Sequence, residues 1–498
     1  MSMTLVAILG LGVAGNAITS SWTPAAFAPA AAFTDIPPAP PVAAPQPVGA
    51  VEREDVNVRV DGETLDGWVY VPAAAGRHPG VVFIHGAGTK HRDGFDEQAS
   101  YLASAGVVSL VLDKRSVGYS TWQRDYEAMA ADTLAGVDLL RRRDDVDPSS
   151  IGLLGESEGT WIAPVAAAQD PSIAFLIMVS APIVSPAEQG TYATLTAFDG
   201  LDVPDPADRA VAKGIGMAIT LPFLLDYADF DVLPWLRQVS QPMLMVYGTD
   251  DPAVPLIQGP QLARQNSAGP VTVRYFGDAQ HGIRLTTSDS PFAPGYLETL
   301  ASWITDQAAD RGTSLPGISG AQPVQPLSAE GVPPPPWYAT GYTHLVVLGL
   351  AIVGYLAGPA AALVTKIRRG AVAARIDPAR RRSLRRLRLL GLASLGSLVS
   401  YFAGLSHLAL NQLTNPALTY GVWAIVWIIT AGAVMALLNL WLSGTWQRGA
   451  EPVLLGGADG LSAGGRLNAV ESVAMVGAVT GTVLLLLVVT YWGVFLGI

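Results

Sequence analysis

The chain has 498 residues, half of them hydrophobic and only 14% charged, with a net charge of −11 and no cysteine. That length exceeds what one core usually organises, so at least two structural units are expected. The missing cysteines exclude disulfides, lipid attachment through a thiol and Cys-bound metals.

In chain order, "LVAILGLGVAGNAI" (5–18) is an apolar core of signal-peptide length, followed by small-residue sites such as Ala26-Phe27-Ala28 and Ala30-Ala31-Ala32. No Lys or Arg precedes it, so residues 1–36 read as a signal peptide or an uncleaved N-terminal anchor. "PPAPPVAAPQPVG" then makes residues 37–50 a stiff Pro/Ala linker.

From 51 to 312 the pattern alternates strand and helix. "VNVRV" (56–60) and "LDGWVYV" (65–71) alternate like antiparallel strands at a sheet edge. Buried-strand runs follow at 80–85, 107–113, 151–155, 174–180, 242–248 and 271–276, with helical patterns at 94–105, 126–143, 158–169, 256–266 and 294–309. This alternation predicts an α/β class with a mostly parallel sheet covered by helices on both faces. One interval is long, so residues 183–240 or so are expected to form a cap, with Leu221, Phe223, Leu224 and Trp235 as its apolar surface or its core.

A Pro-rich stretch at 313–341 reads as a second linker, and residues 342–498 as an all-α membrane domain. Four apolar runs there, about 342–365, 389–410, 418–442 and 470–497, each reach the roughly 20 residues a spanning helix needs. Between Lys366 and Arg388 lie ten basic residues and one acid, +9 in a chain whose remainder carries −20. A short basic loop is retained on the cytoplasmic side, so the α/β domain is expected outside the membrane. The same loop would meet anionic lipid headgroups rather than nucleic acid.

Reactive groups in such sheets lie beyond the C-terminal strand ends. There "IGLLG" (151–155) breaks off into Glu156-Ser157-Glu158-Gly159. The G-x-S-x-G spacing suits a serine held on a sharp strand-to-helix turn, because side chains two residues either side would collide. A nucleophilic serine needs a base oriented by an acid. His281 in "GDAQHGI" follows the last strand run and supplies the base. Asp251 in "YGTDDPAVP" is the chosen acid, with Asp250 and Asp278 as alternatives. "HGAG" (85–88) follows the strand run at 80–85, and the Ala87 and Glu158 N–H groups are the expected oxyanion donors. The Glu158 side chain is expected to pair with Lys114 or Arg115, or to disfavour anionic substrates at the entrance.

Residues 53–310 resemble the α/β-hydrolase superfamily, and within it the dienelactone-hydrolase-like and serine-aminopeptidase-like esterases. The motifs that carry the resemblance are "VVFIHGAG", "VLDKRSVGYS", "GLLGESEGTWIAP", "GTDDPAVP" and "DAQHG". It implies hydrolysis of an ester, thioester or amide through an acyl-enzyme, with no metal or organic cofactor, on an acyl-type or lipid-like substrate. Ser116, where such relatives often have Gly, and the two glutamates around Ser157 depart from the pattern. A peptidase on the same scaffold and a non-catalytic ligand-binding module are the competing readings. The oligomeric state is not legible in the sequence.

Overall fold

A computed structural model describes residues 7–8, 10–11, 22–42, 44, 50–88, 91–199, 213–214, 225–286, 290–309, 317–370, 376–410, 420–442 and 467–494. The chain divides into two compact units, Pro24–Ala193 with Pro222–Gly331, and Met1–Thr23 with Thr194–Leu221 and Val332–Ile498.

The first unit is built on a nine-stranded sheet. Its strands are β1 (Val51–Arg59), β2 (Thr64–Pro72), β3 (His78–Ile84), β4 (Val108–Leu112), β5 (Val146–Glu156), β6 (Leu176–Val179), β7 (Met243–Gly248), β8 (Val271–Phe276) and β9 (Ile318–Gly320). The spatial order is β1-β2-β4-β3-β5-β6-β7-β8-β9. β1 pairs antiparallel with β2 and β2 with β4, and every pair from β4–β3 onward is parallel. With helices on both faces this is the α/β-hydrolase fold.

The alternation of side chains along each strand divides the interior into two cores. Val82, Ile84 and Leu153 pack with α2 (Tyr126–Arg141), α3 (Gly159–Gln169) and α6 (Gln258–Asn266) on one face. Val81, Phe83 and Leu154 pack with α1 (Asp96–Ser104) and α7 (Tyr296–Ala308) on the other. Strands buried on both faces read as unbroken apolar runs, which is why β3 to β8 stand out in the sequence. β1, largely exposed at the edge, alternates instead.

In the long β6–β7 interval the described residues are 180–199, 213–214 and 225–242, which include α4 (Pro186–Asp199) and the short α5 (Leu233–Leu236). The expected cap residues Leu221, Phe223 and Leu224 lie outside the described residues. Trp235 is partly buried against the main core, which makes it a packing residue.

The Pro-rich stretches differ from spacers. Ile318–Gly320 extends the sheet beside β8, Gly320 N–H donates to Pro37 O at 2.9 Å, and Phe27 N–H donates to Pro326 O at 3.0 Å. Phe33 is buried, and the Gln325 side chain accepts from the Ile257 and Gln258 N–H groups at 2.8 and 2.9 Å. The edge of β8 needs backbone partners. Gly317–Gln322 is the proline-free window that can supply them, so this part of the expected 313–341 linker, and residues from Pro24 within the expected 1–36 leader, are folded parts of the first unit.

Among the described residues the second unit has four helices long and apolar enough to cross a membrane: α8 (Gly341–Arg369), α9 (Pro378–Leu410), α10 (Val422–Leu442) and α11 (Ala469–Tyr491). Small residues let α8 and α11 approach: a Cβ on Gly477 would lie 2.2 Å from Gly354 O, and one on Gly354 would lie 2.7 Å from Gly477 O. The expected basic loop 366–388 is mostly helical. Lys366, Arg368 and Arg369 end α8, where cations suit the helix dipole. The arginines that open α9 oppose its dipole, and acids offset them: Asp377 Oδ2 accepts from Ala379 and Arg380 N–H, and Arg380 pairs with Glu471 at 2.7 Å. Arg375 and the side chain of His407 lie outside the described residues.

A methyl group on Gly152, within β5, would sit 2.2 Å from the ring of the fully buried Phe175. Gly152→Ala should therefore destabilise the first unit by about 1–3 kcal/mol through overpacking, read as a lowered thermal midpoint of the purified protein beside wild type.

Candidate active site

The parallel register of β3 and β5 sets Ile84 opposite Gly155, so "HGAG" and "ESEG" leave the sheet side by side. β5 ends at Glu156, and Ser157 takes φ 53°. A left-handed serine costs on the order of 1–3 kcal/mol, and local bonds hold it. Its N–H donates to Val179 O at 2.9 Å, and its carbonyl accepts from Thr160 N–H at 3.0 Å. The flanking glycines are required by contact: a Cβ on Gly155 would lie 2.5 Å from Gly159 O, and one on Gly159 would lie 2.3 Å from Ile84 O.

The end of β7 carries Asp251 and the loop after β8 carries His281. Asp251 Oδ2 lies 2.8 Å from His281 Nδ1, and its Oδ1 accepts from Ala253 N–H at 2.8 Å. The carboxylate can only accept, so Nδ1 carries the proton and Nε2 is left as the basic nitrogen. The Asp251 side chain is fully buried and that of His281 is 35% exposed. Asp250 and Asp278, the alternative acids, are both exposed, and Asp250 accepts from Thr249 instead. Two close approaches shape the loop: a Cβ on Gly248 would lie 2.2 Å from Ala279 O, and Gly282, with φ 70°, donates its N–H to Ser180 Oγ at 3.4 Å. The Glu156 carboxyl lies beside this loop, with its atoms 3.8 Å from where a Gly282 Cβ would be.

"HGAG" rests against the serine, since a Cβ on Gly86 would lie 3.3 Å from Ser157 Cβ and 3.9 Å from Ser157 Oγ. Among the described residues, neither the Ala87 nor the Glu158 N–H donates to another group of the protein. His85 points away, with Nε2 2.8 Å from Leu112 O and its ring on Phe95.

The Glu158 side chain is buried in an ionic cluster. It pairs with Lys114 through Oε2 and with Arg124 through Oε1, and it accepts from the Tyr119 hydroxyl at 2.8 Å. Of the two expected partners, Lys114 is present. Arg115 instead meets Asp132 at 3.2 Å and donates to Asp61 O at 2.9 Å. Arg124 and Tyr119 are partners beyond the expected pair: Tyr119 lies in "VLDKRSVGYS", and Arg124 lies 34 residues from Glu158 with no sequence pattern to mark it. Burial, and then the negative charge of Glu158, push the Tyr119 hydroxyl well above the ordinary phenol value, so it stays a proton donor. Ser116 is accommodated because the left-handed residue of its turn is Gly118, φ 72°, while Ser116 N–H and Oγ both bond Glu63 at 2.9 Å.

Residues 77–202 match the family described as serine aminopeptidase, S33. The chain is 26% identical over 220 residues to the 2,6-dihydropseudooxynicotine hydrolase of Paenarthrobacter nicotinovorans, covering 43% of this chain and 54% of that protein. It is 32% identical over 103 residues to the uncharacterized protein YfhR of Salmonella typhi, covering 20% of this chain and 35% of that one. The chain thus spans about half the length of the first relative and about a third of the second. Among solved structures it is similar to a dienelactone hydrolase from Anabaena variabilis, at 19% identity and TM-score 0.36 over 53% of this chain and 98% of that one. It is also similar to Est1E from Butyrivibrio proteoclasticus, at 18% identity and TM-score 0.36 over 52% and 98%.

Gly248→Ala would force the Ala279 carbonyl away and with it the loop that holds His281. The expected result is a fall of about 2–10 °C in thermal midpoint, from a strain of roughly 1–3 kcal/mol in a unit of this size, measured by differential scanning of the purified protein.

Proposed function

We propose that the chain is a serine hydrolase that cleaves an ester, thioester or related acyl bond through an acyl-enzyme on Ser157. The observation that carries this reading is the 2.8 Å bond from His281 Nδ1 to the buried Asp251, at the sheet edge that also presents Ser157 on its strained turn. Ser157 Oγ attacks the acyl carbonyl while His281 Nε2 takes its proton. Asp251 holds the ring in the tautomer this needs and stabilises the imidazolium that forms. The negative charge that develops on the carbonyl oxygen is met by the Ala87 and Glu158 N–H groups. His281 then protonates the leaving group, and water attacks the acyl-enzyme with the same base to release the acid. The family description and the printed name of the 2,6-dihydropseudooxynicotine hydrolase support a hydrolytic reaction.

The four long apolar helices support a membrane-tethered enzyme with an acyl or lipid-like substrate. The basic residues that end α8 and open α9 support a cytoplasmic connection there, which puts the hydrolase unit outside. Protease added to intact cells should then cleave within residues 50–310 when the fold is loosened, while the 366–388 connection stays protected; the reverse pattern inverts the topology.

The family description also favours a second reading, an aminopeptidase on the same site. A free amine would need an anionic subsite, and the Glu156 carboxyl lies beside Gly282 in the His281 loop. Turnover of an aminoacyl p-nitroanilide in preference to a p-nitrophenyl ester would select it.

Ser157→Ala should abolish both hydrolysis of a short p-nitrophenyl ester and labelling by a fluorophosphonate; retained turnover removes Ser157 as nucleophile. Asp251→Asn should lower kcat by about 10⁴ by leaving the wrong tautomer, whereas Asp250→Asn should stay within a few-fold of wild type. Parallel steady-state assays of the two variants decide which acid works.

A further inference from the structure

Resting on that serine-hydrolase reading, we infer that the Glu158 side chain is a positioning group that ties the two halves of the oxyanion hole together and sets their electrostatics. One donor of the hole is the Glu158 backbone N–H; the other, Ala87 N–H, belongs to a loop that Glu158 reaches only through its side chain.

The connections are direct. Lys114 Nζ donates to Gly86 O at 2.6 Å and also pairs with Glu158 Oε2. Gly88 N–H donates to the Tyr119 hydroxyl at 2.8 Å, and that hydroxyl in turn donates to Glu158 Oε2 at 2.8 Å. Ala87 therefore sits between two residues that are each one hydrogen-bonding group away from the same carboxylate oxygen. The loop residues Gly86–Gly88 carry no side chain beyond a methyl, so they have few contacts of their own to fix them. Their position comes from Lys114, Tyr119 and the packing of Gly86 on Ser157.

The cluster also places buried cations at the site. Lys114 and Arg124 both meet the Glu158 carboxylate, with side-chain exposures of 5%, 12% and 1% for Lys114, Arg124 and Glu158. Buried cations beside the hole favour the state in which negative charge develops on the substrate oxygen. Removing the Glu158 charge would not simply raise this benefit. It would release two cations from a shared anchor and remove one of the groups that position Lys114, whose Nζ also donates to the Tyr119 hydroxyl at 3.0 Å.

The test uses the full-length protein in detergent with a p-nitrophenyl ester, a fluorophosphonate and a trifluoromethyl ketone as transition-state analogue. Glu158→Gln should lower kcat by about 10- to 100-fold, less than the loss of a complete oxyanion donor, with KM changed less than about threefold. The trifluoromethyl ketone inhibition constant should rise by the same factor as kcat/KM falls. Tyr119→Phe removes only the hydroxyl that links Gly88 to Glu158; it should lower kcat by about 2- to 10-fold and weaken the analogue in proportion, and it keeps the inference testable where Glu158→Gln does not fold. Either folded variant with wild-type kcat, or with lowered kcat and unchanged analogue binding, overturns the inference. Wild type that fails to react with the fluorophosphonate overturns the serine-hydrolase reading and the inference with it; wild type that reacts while both variants match its rate overturns the inference alone.

Discussion

The geometry of the site depends on one close approach, that of the α3 entry to the end of β3. Gly159 lies where a Cβ would be 2.3 Å from Ile84 O, so the helix after Ser157 starts directly against the last carbonyl of the neighbouring strand. Only a glycine permits this, and the consequence reaches in both directions. On one side it turns β5 sharply enough to put Ser157 at φ 53°. On the other it brings the Gly86 backbone against the serine side chain. Because β3 and β5 are parallel and in register, neither strand can shift by one residue without moving a whole set of side chains to the wrong core. The two layers of buried residues thus fix the relative position of the serine and the "HGAG" loop before any polar group is considered.

Strain gathers where these loops meet. Ser157, Ser180, Asp278 and Ile283 all hold positive φ without being glycine, and they follow β5, β6 and β8 at the same sheet edge. Each is held by bonds from a neighbouring element, such as Ser157 N–H to Val179 O and Ser180 N–H to Val246 O at 2.8 Å. Unfavourable backbone is retained when the surroundings over-determine it. Here the surroundings are the parallel strands themselves, at the edge from which the loops carrying Ser157, Asp251 and His281 leave the sheet.

Most of the sheet was legible because its strands are buried on both faces and so read as short apolar runs between turn residues. The order of Ser157, Asp251 and His281 was legible for the same reason, since each follows a strand that could be located. The choice of Asp251 over Asp250 was less so: adjacent acids differ only in which way the turn after β7 points them, and burial of one against exposure of the other is a property of the folded loop. Composition misled at 313–341, where prolines suggested a spacer. A proline-poor window of six residues inside it pairs with the β8 edge, and the demand for backbone partners outweighs the character of the surrounding stretch. The second unit was read by length and hydropathy, which fix the number of candidate spans but not their packing. The glycine contacts between α8 and α11 depend on rotation about each helix axis, to which hydropathy is blind.

The two glutamates beside Ser157 had no explanation in sequence, and the structure separates them. Glu156 ends a strand and lies by the His281 loop, whereas Glu158, two residues on, faces the opposite side of the turn and is buried. A buried carboxylate is costly unless it is paired and fully hydrogen-bonded, and Glu158 meets that condition through Lys114, Arg124 and Tyr119. These partners come from 34 to 44 residues away, along the segment that runs from the end of β4 to the start of α2. A hydrophobic replacement of the whole cluster would serve stability as well or better. Stability alone therefore does not account for two cations and one anion at this place. Their position does: they link the loop that carries Ala87 to the turn that carries Glu158, the two loops proposed to share an oxyanion.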